Sequence, residues 1–329
     1  MSFTPQDTAR LRALAARQTE LAQSAEMQAL TCAWECHGDF DKASRPMIRI
    51  ELGTFEQDVL PPLLQCGDAQ ARQIEVSLLR NLVNHTLFAD DTLVPDHFAV
   101  TPVFRMTPFG LPVRRQKTEG VGHQFIPYLH ELPADAHLLG KSLFEVDVES
   151  SARRVETLDA LFGDLLPVRQ TGYSLSACPM QDIVHIMRME DLFLAMMDEP
   201  ESFTQILERL VADYLAFFER LEAQGLLRTA VRGEHLSQGT YCFTSELPGD
   251  QPAAKLSQMW LYMDSQETSA ISPAMYRELV FPAYKRLMTR FGLVSYGCCE
   301  AVHALWDGCL DTLQNLRKVS ISPWCDERF

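Results

Sequence analysis

The chain has 329 residues, 47% hydrophobic and 22% charged, with 29 basic against 44 acidic side chains and a formal net charge of −15. That length suits one large α/β domain or two medium ones, and the charge speaks against nucleic acid and anionic membranes as partners. No run of about 18 apolar residues offers a membrane span. Met1-Ser2-Phe3-Thr4-Pro5 leads into a polar helix rather than a secretory signal, and nine irregularly spaced cysteines then read as reduced thiols of a cytoplasmic protein.

In residues 5–36 the apolar positions Leu11, Leu14, Ala15, Leu21, Ala25 and Leu30 recur at helical spacing and predict one helix. Residues 1–45 are accordingly taken as an N-terminal helical extension, and 46–329 as the main domain. Cys32 and Cys36, four apart on this helix, are expected to pack rather than to ligate.

Residues 47–52 alternate apolar and polar and predict a first strand; a helix over 69–88 comes next, then a second strand over 98–106. The Gly- and Pro-bounded stretch 110–138 reads as a hairpin excursion, with β-like pieces at 111–115 and 124–129. A helix over 151–166 ends at Pro167, and 168–174 forms a third strand. The Met-rich helix over 182–197 carries His185 near its start, where it is expected to face the site. Asp198-Glu199-Pro200-Glu201 is a helix-start signature, and Gly225 is the matching C-cap. A fourth strand opens at Thr229-Ala230-Val231 and leads to His235; a long loop over 239–256 comes after it.

The last third holds three apolar runs, each ending in groups that bind metals or move protons. Met259-Trp260-Leu261-Tyr262-Met263 runs into Asp264-Ser265-Gln266-Glu267, and Leu293-Val294-Ser295-Tyr296 into Gly297-Cys298-Cys299-Glu300. Val319-Ser320-Ile321-Ser322 runs into Pro323-Trp324-Cys325-Asp326. Helix-like segments over 273–291 and 301–316 separate them. Strand, helix, strand, helix, strand implies parallel strands with right-handed crossovers, whose C-terminal ends share one rim. Glu267, Cys298, Glu300 and Cys325 are therefore expected to converge. Pleat alternation further predicts that Cys298 and Glu300 point together and Cys299 away. Counting all candidates gives seven strands in βα alternation, which suggests a (β/α)8 TIM-type barrel. One strand is short of eight at Phe329: either the stretch 110–138 holds another strand or, the favoured reading, the residues are less than the whole gene product.

Two segments carry a family resemblance. Residues 182–200, DIVHIMRMEDLFLAMMDEP, and 271–288, ISPAMYRELVFPAYKRLM, resemble the uroporphyrinogen decarboxylase superfamily, and the likeness extends over roughly the second half of the chain. It implies a TIM-type barrel with its site at the C-terminal mouth. Decarboxylases of that superfamily carry an R-Q-A-G-R type motif that grips substrate carboxylates; the matching stretch here is Arg49-Ile-Glu-Leu-Gly-Thr-Phe55, so the motif is missing. The cobalamin-dependent methyltransferases of the superfamily bind zinc through His-x-Cys-Gly. The matching residues here are Tyr296-Gly297-Cys298-Cys299, with the cysteine kept and tyrosine in place of histidine.

The resemblance thus implies a zinc-dependent methyltransferase moving a methyl group between a small organic substrate and a corrinoid carrier protein. Zinc takes about four N, S or O ligands; Cys298 and Cys325 are the expected thiolates, Glu267 or Glu300 the carboxylate, and His235 or solvent the fourth ligand. Glu267, Asp264 and His235 are the expected acid/base residues. Tyr262, Gln266, Tyr296, Trp324 and His185 are expected to line the substrate pocket, and a homodimer is in keeping with this type of barrel. Two other readings use the same mouth: a metal-free decarboxylase or lyase, and a non-catalytic barrel that binds a corrinoid or tetrapyrrole.

Overall fold

The structure, a computed structural model, describes residues 3–118, 123–237, 239–326 and 328. In chain order the regular elements begin with helices α1 (Pro5–Ala22), α2 (Ala25–Gly38) and α3 (Ala69–Leu87). Strands β1 (Phe98–Val100), β2 (Val103–Thr107), β3 (Arg115–Lys117), β4 (His123–Phe125) and β5 (Leu143–Asp147) come after them. Next are α4 (Val148–Phe162), β6 (Val168–Gln170), β7 (Leu175–Ala177), α5 (Pro179–Val184), α6 (Met189–Asp198) and α7 (Pro200–Ala223). The chain then forms β8 (Trp260–Met263), α8 (Phe281–Met288), β9 (Leu293–Tyr296) and β10 (Leu316–Val319). Among the described residues no helix is long and apolar enough to cross a membrane.

The described residues form two compact units. The first comprises 1–103, 147–173 and 230–250; the second comprises 104–146, 174–229 and 251–329. In the first unit α1 packs on α3 and α4, burying Leu11, Ala15, Leu78, Leu158 and Phe162, and β1 pairs in parallel with β6. The N-terminal helices are therefore part of this unit's core. Ser24 splits the single helix expected over 5–36: its backbone is extended, and its hydroxyl accepts from Met27 N at 3.2 Å, which caps a new helix start.

Residues 47–52 form no strand. Their backbone is drawn to two carboxylates instead of a ladder: Ile48 N donates to Asp91 Oδ2 at 2.7 Å and Ile50 N to Asp90 Oδ2 at 2.6 Å. A side chain that takes a strand's N–H groups removes the donors a neighbouring strand would need.

The second unit is built on a four-stranded parallel sheet in the order β10-β9-β8-β7. Every residue of β8 and β9 is buried, as expected for central parallel strands covered on both faces. The register is what positions the site. Ala177 pairs with Met263, Met263 with Tyr296, and Tyr296 with Val319, so the four strands end side by side on one edge. The mixed α/β class with parallel strands read from the sequence is present.

Several elements differ from expectation. Of the strand expected over 168–174 only Val168–Gln170 forms, as β6, and β7 begins beyond it at Leu175. The fourth strand, at 229–231, is absent: Arg228 makes one antiparallel bridge to Pro252, and proline has no N–H with which to continue a ladder. The helix expected over 273–291 contains a π turn, Tyr276–Val280, just ahead of Pro282, which cannot donate within the helix. The one expected over 301–316 is reduced to 3₁₀ turns at Val302–Leu305 and Leu310–Thr312, separated by Gly308 at φ +74°. The last strand runs over Leu316–Val319 and stops three residues early. The excursion at 110–138 does contain an antiparallel hairpin, β3 with β4. Helix α7 ends as predicted, with Gly225 at φ +66°.

Candidate functional site

The four aligned strand ends of the second unit release Cys178, Asp264, Gly297 and Ser320 onto one edge, and the loops that begin there are tied together by one carboxylate. Glu300 accepts from Ser265 N at 2.9 Å through Oε1 and from Cys298 N at 2.8 Å through Oε2, linking the loop after β8 to the loop after β9. Its carbonyl accepts from Ser322 Oγ at 3.0 Å, and Cys325 Sγ lies 3.9 Å away, which brings in the loop after β10. The loops after β8, β9 and β10 thus meet at Glu300.

Asp264 is 4% exposed. Tyr262 OH donates to its Oδ2 at 2.9 Å, while Oδ1 is buried with no well-formed partner. The Cys178 thiol, at the end of β7, leans on the same carboxylate. Glu267 sits in the 3₁₀ turn Gln266–Thr268, is 6% exposed, and leaves Oε2 buried and unpartnered. Burial, with the nearby charges of Asp264 and Glu300 adding to it, pushes the Glu267 carboxyl up to about 7. Burial also raises Asp264, and it raises Glu300 despite two backbone N–H donors. None of these three carboxylates forms an ion pair with a cation among the described residues. A buried carboxylate without a counter-charge holds a proton or waits for a cation.

The pleat argument for the cysteines does not hold. The strand ends at Tyr296, and Gly297, at φ +102°, turns the chain, so alternation no longer governs residues 298–300. Cys298 Sγ lies 3.6 Å from Cys299 Sγ rather than facing away from it. Burial, then the neighbouring Cys299, pushes the Cys298 thiol up to about 12.

Zinc was expected on Cys298, Cys325, Glu300 and Glu267. Among the described residues no group of three or more His, Cys, Asp or Glu side chains is arranged to hold a metal ion. Both Glu300 oxygens are committed to backbone N–H groups, and Cys325 turns to the Glu300 carbonyl and to Ser322 Oγ at 3.7 Å. As arranged in the structure, the four expected residues are not gathered into a metal-binding group.

The remaining expected residues divide. Tyr262 positions Asp264 and is buried. Gln266, half-buried, hydrogen-bonds to Glu267. Tyr296 does not line a pocket: it is fully buried, and its hydroxyl lies 2.7 Å from that of Tyr276. Trp324 is 73% exposed, because β10 ends at Val319 and leaves it in a turn five residues on. His185 is half-buried, with Nδ1 3.9 Å from Asp182 and its ring 4.4 Å from that of Phe125; burial, then Arg115 and His123, lowers its pKa. His235 belongs to the first unit, beside Tyr241. It is exposed there, and partial desolvation, then the charge of Arg49, lowers its pKa.

The sequence reading missed Cys178 and, behind it, Asp182, which accepts from Tyr214 OH at 2.5 Å and which burial pushes up to about 6. The signal was Cys178-Pro179, a thiol on the last residue before a helix-starting proline, hidden because the preceding strand was placed too early. No family profile matches the sequence, and neither curated proteins nor solved structures give a match.

Proposed function

We propose that this protein is a barrel enzyme that transfers a methyl group from a small, neutral or cationic organic substrate to a corrinoid held by a carrier protein, with Glu267 supplying the proton. One observation carries the reading: a buried carboxyl titrating near 7 beside two more buried carboxylates, none of them ion-paired among the described residues. When a methyl group leaves a nitrogen, oxygen or sulfur atom as a cation equivalent, the heteroatom keeps the bonding pair and becomes basic. A general acid with a pKa near the working pH suits that step, and Glu267 is such a group. Asp264, fixed by Tyr262 and beside Cys178, would orient the heteroatom or hold a positive charge on the substrate. The corrinoid would provide the nucleophile that accepts the methyl.

The four parallel strands would supply half of a (β/α)8 barrel, and a shared C-terminal strand edge is where such barrels place catalytic groups. The decarboxylase reading is weaker on electrostatic grounds. A substrate carboxylate would have to enter beside three carboxyl groups with no ion-paired cation among the described residues to offset its charge. The arginine motif that would grip it is missing as well.

The test is a single-turnover assay with free cob(I)alamin as acceptor and a panel of methylated amines, thiols and ethers. Methylcobalamin is read by its absorbance. Formation with the wild-type chain, slowed about a hundredfold in Glu267→Gln, is the expected result. No methylcobalamin from any donor, together with release of carbon dioxide from carboxylated substrates, would reverse the choice. Zinc is quantified on the same preparation: one ion per chain, lost in Cys298→Ser, would restore the metal-assisted version of methyl transfer.

A further inference from the structure

A second site emerges in the first unit. Helix α3 places Ala69, Arg72, Gln73, Val76, Ser77 and Arg80 on one face at helical spacing, and Arg154 of α4 reaches the same groove from the other wall. The groove encloses about 440 Å³, and an adjoining cavity of about 220 Å³ shares Ser77, Arg80 and Arg154 with it. The chain carries 44 acidic side chains against 29 basic ones, yet neither cavity is lined by any Asp or Glu. A lining whose charged groups are all cationic, on so acidic a protein, is the unusual feature.

The three arginines are not equivalent. Two are held in place. Arg72 donates to Cys66 O from Nε at 3.1 Å and Nη2 at 2.9 Å, and Arg80 makes a two-point pair with Glu56 at 2.8 and 2.6 Å. Arg154 has no hydrogen bond or ion pair among the described residues. Glu56 offsets the charge of Arg80, so the groove retains the charge of two guanidinium groups. Anchored guanidinium groups lose less side-chain freedom on binding, and their planar forks match oxyanions. Gln73 and Asn81 add amide donors, and Phe98 lines the adjoining cavity as a surface for an organic body.

We propose that this groove binds a small organic oxyanion, its phosphate or carboxylate groups between Arg72 and Arg154 and its uncharged part toward Phe98. The charge and the donors would accept a phosphate ester or a polycarboxylate, and the site is independent of the chemistry assigned to the sheet edge. It gives an anion a cationic recess on a protein whose net charge otherwise repels it.

The test is calorimetric titration of the intact chain with inorganic pyrophosphate and, separately, citrate at low salt. Binding should be measurable below about 1 mM and should weaken as salt is raised. Arg154→Ala and Arg72→Ala should each weaken it by about tenfold, and Arg154→Lys should recover part of the loss. Arg153→Ala is the control: Arg153 neighbours Arg154 but does not line the groove and is paired with Glu149 at 3.4 Å, and its loss should leave binding unchanged. Tighter binding of pyrophosphate identifies a phosphate ester as the natural class, and tighter binding of citrate a polycarboxylate. Absence of binding by both, or equal loss in Arg153→Ala and Arg154→Ala with melting curves unchanged, would overturn the assignment.

Discussion

Glu300 Oε1 accepts the backbone N–H of Ser265 at 2.9 Å, across 35 residues of sequence, while Oε2 accepts that of Cys298 only two residues away. One side chain thus fixes the distance between two loops that leave adjacent parallel strands, and it does so while buried. Its role is to hold the edge in shape, which is why it is a poor candidate for a metal ligand. Glu300→Ala would orphan two buried donors and should cost about 2–4 kcal/mol in denaturant unfolding. Glu300→Gln keeps one acceptor and should cost about 1–2 kcal/mol. Equal stability of Glu300→Ala and wild type would show that the two N–H groups find water instead.

The raised pKa of Glu267 has a definite sign. The folded chain holds this proton more tightly than the unfolded chain, because the carboxyl moves from its ordinary 4.5 up to about 7 on folding. The stabilisation is complete below pH 4.5 and is lost as pH rises toward 7. Glu267→Gln carries no such charge, so its stability relative to wild type should rise by roughly 1–2 kcal/mol between pH 5 and 8, allowing for solvent screening. In the wild type, methyl transfer that needs the protonated acid should fall above pH 7. Parallel unfolding curves for both proteins across that range would mean that the carboxyl is not buried in solution.

How much of this was legible in the sequence depends on which interaction decided each element. Strand β9 was read to the residue, because Leu293–Tyr296 is an apolar run bounded by Gly292 and Gly297 and nothing competes with its ladder. The end of α7 was legible for a local reason, Gly225 in the left-handed region. Residues 47–52 have the alternation of a strand, but Asp90 and Asp91 take their N–H groups from 40 or more positions away, which no local pattern reveals. At the site, the acids were found because they directly succeed strands. Which of them would be structural and which free was not visible, since it depends on Glu300 reaching back to Ser265. Strand β7 was missed for its three-residue length, and Cys178 with it.

Thiol chemistry offers a check on burial at the same edge. Cys299 is exposed, as are Cys32 and Cys36, whereas Cys66, Cys242 and Cys309 are buried. Cys298 is half-buried and pushed up to about 12, and Cys178 is raised further by burial and then by the charge of Asp264. Since the thiolate is the reactive form, brief alkylation at pH 8 with subsequent peptide mapping should label Cys32, Cys36 and Cys299 at least about tenfold faster than Cys298. Cys178 should remain unlabelled until the chain unfolds. Early labelling of Cys178 would place it in open solvent and remove it from the environment of Asp264.

The Tyr276–Tyr296 pair separates packing from hydrogen bonding beneath the site. The two hydroxyls are 2.7 Å apart and both rings are fully buried, so burial raises both phenols well above their usual pKa. Tyr296→Phe leaves the Tyr276 hydroxyl without its partner and should cost about 1–3 kcal/mol, as should Tyr276→Phe. The double variant removes both polar groups while keeping both rings. It should therefore cost less than the sum of the singles, with a coupling of about 1 kcal/mol in a double-mutant cycle. Strict additivity would mean that each hydroxyl is served by another group and that the pair does not fix β9 against the helical segment that carries Tyr276. Because Tyr296 is the last residue of β9, a shift there would displace Gly297 and Cys298, so the double variant should also alter the alkylation rate of Cys298.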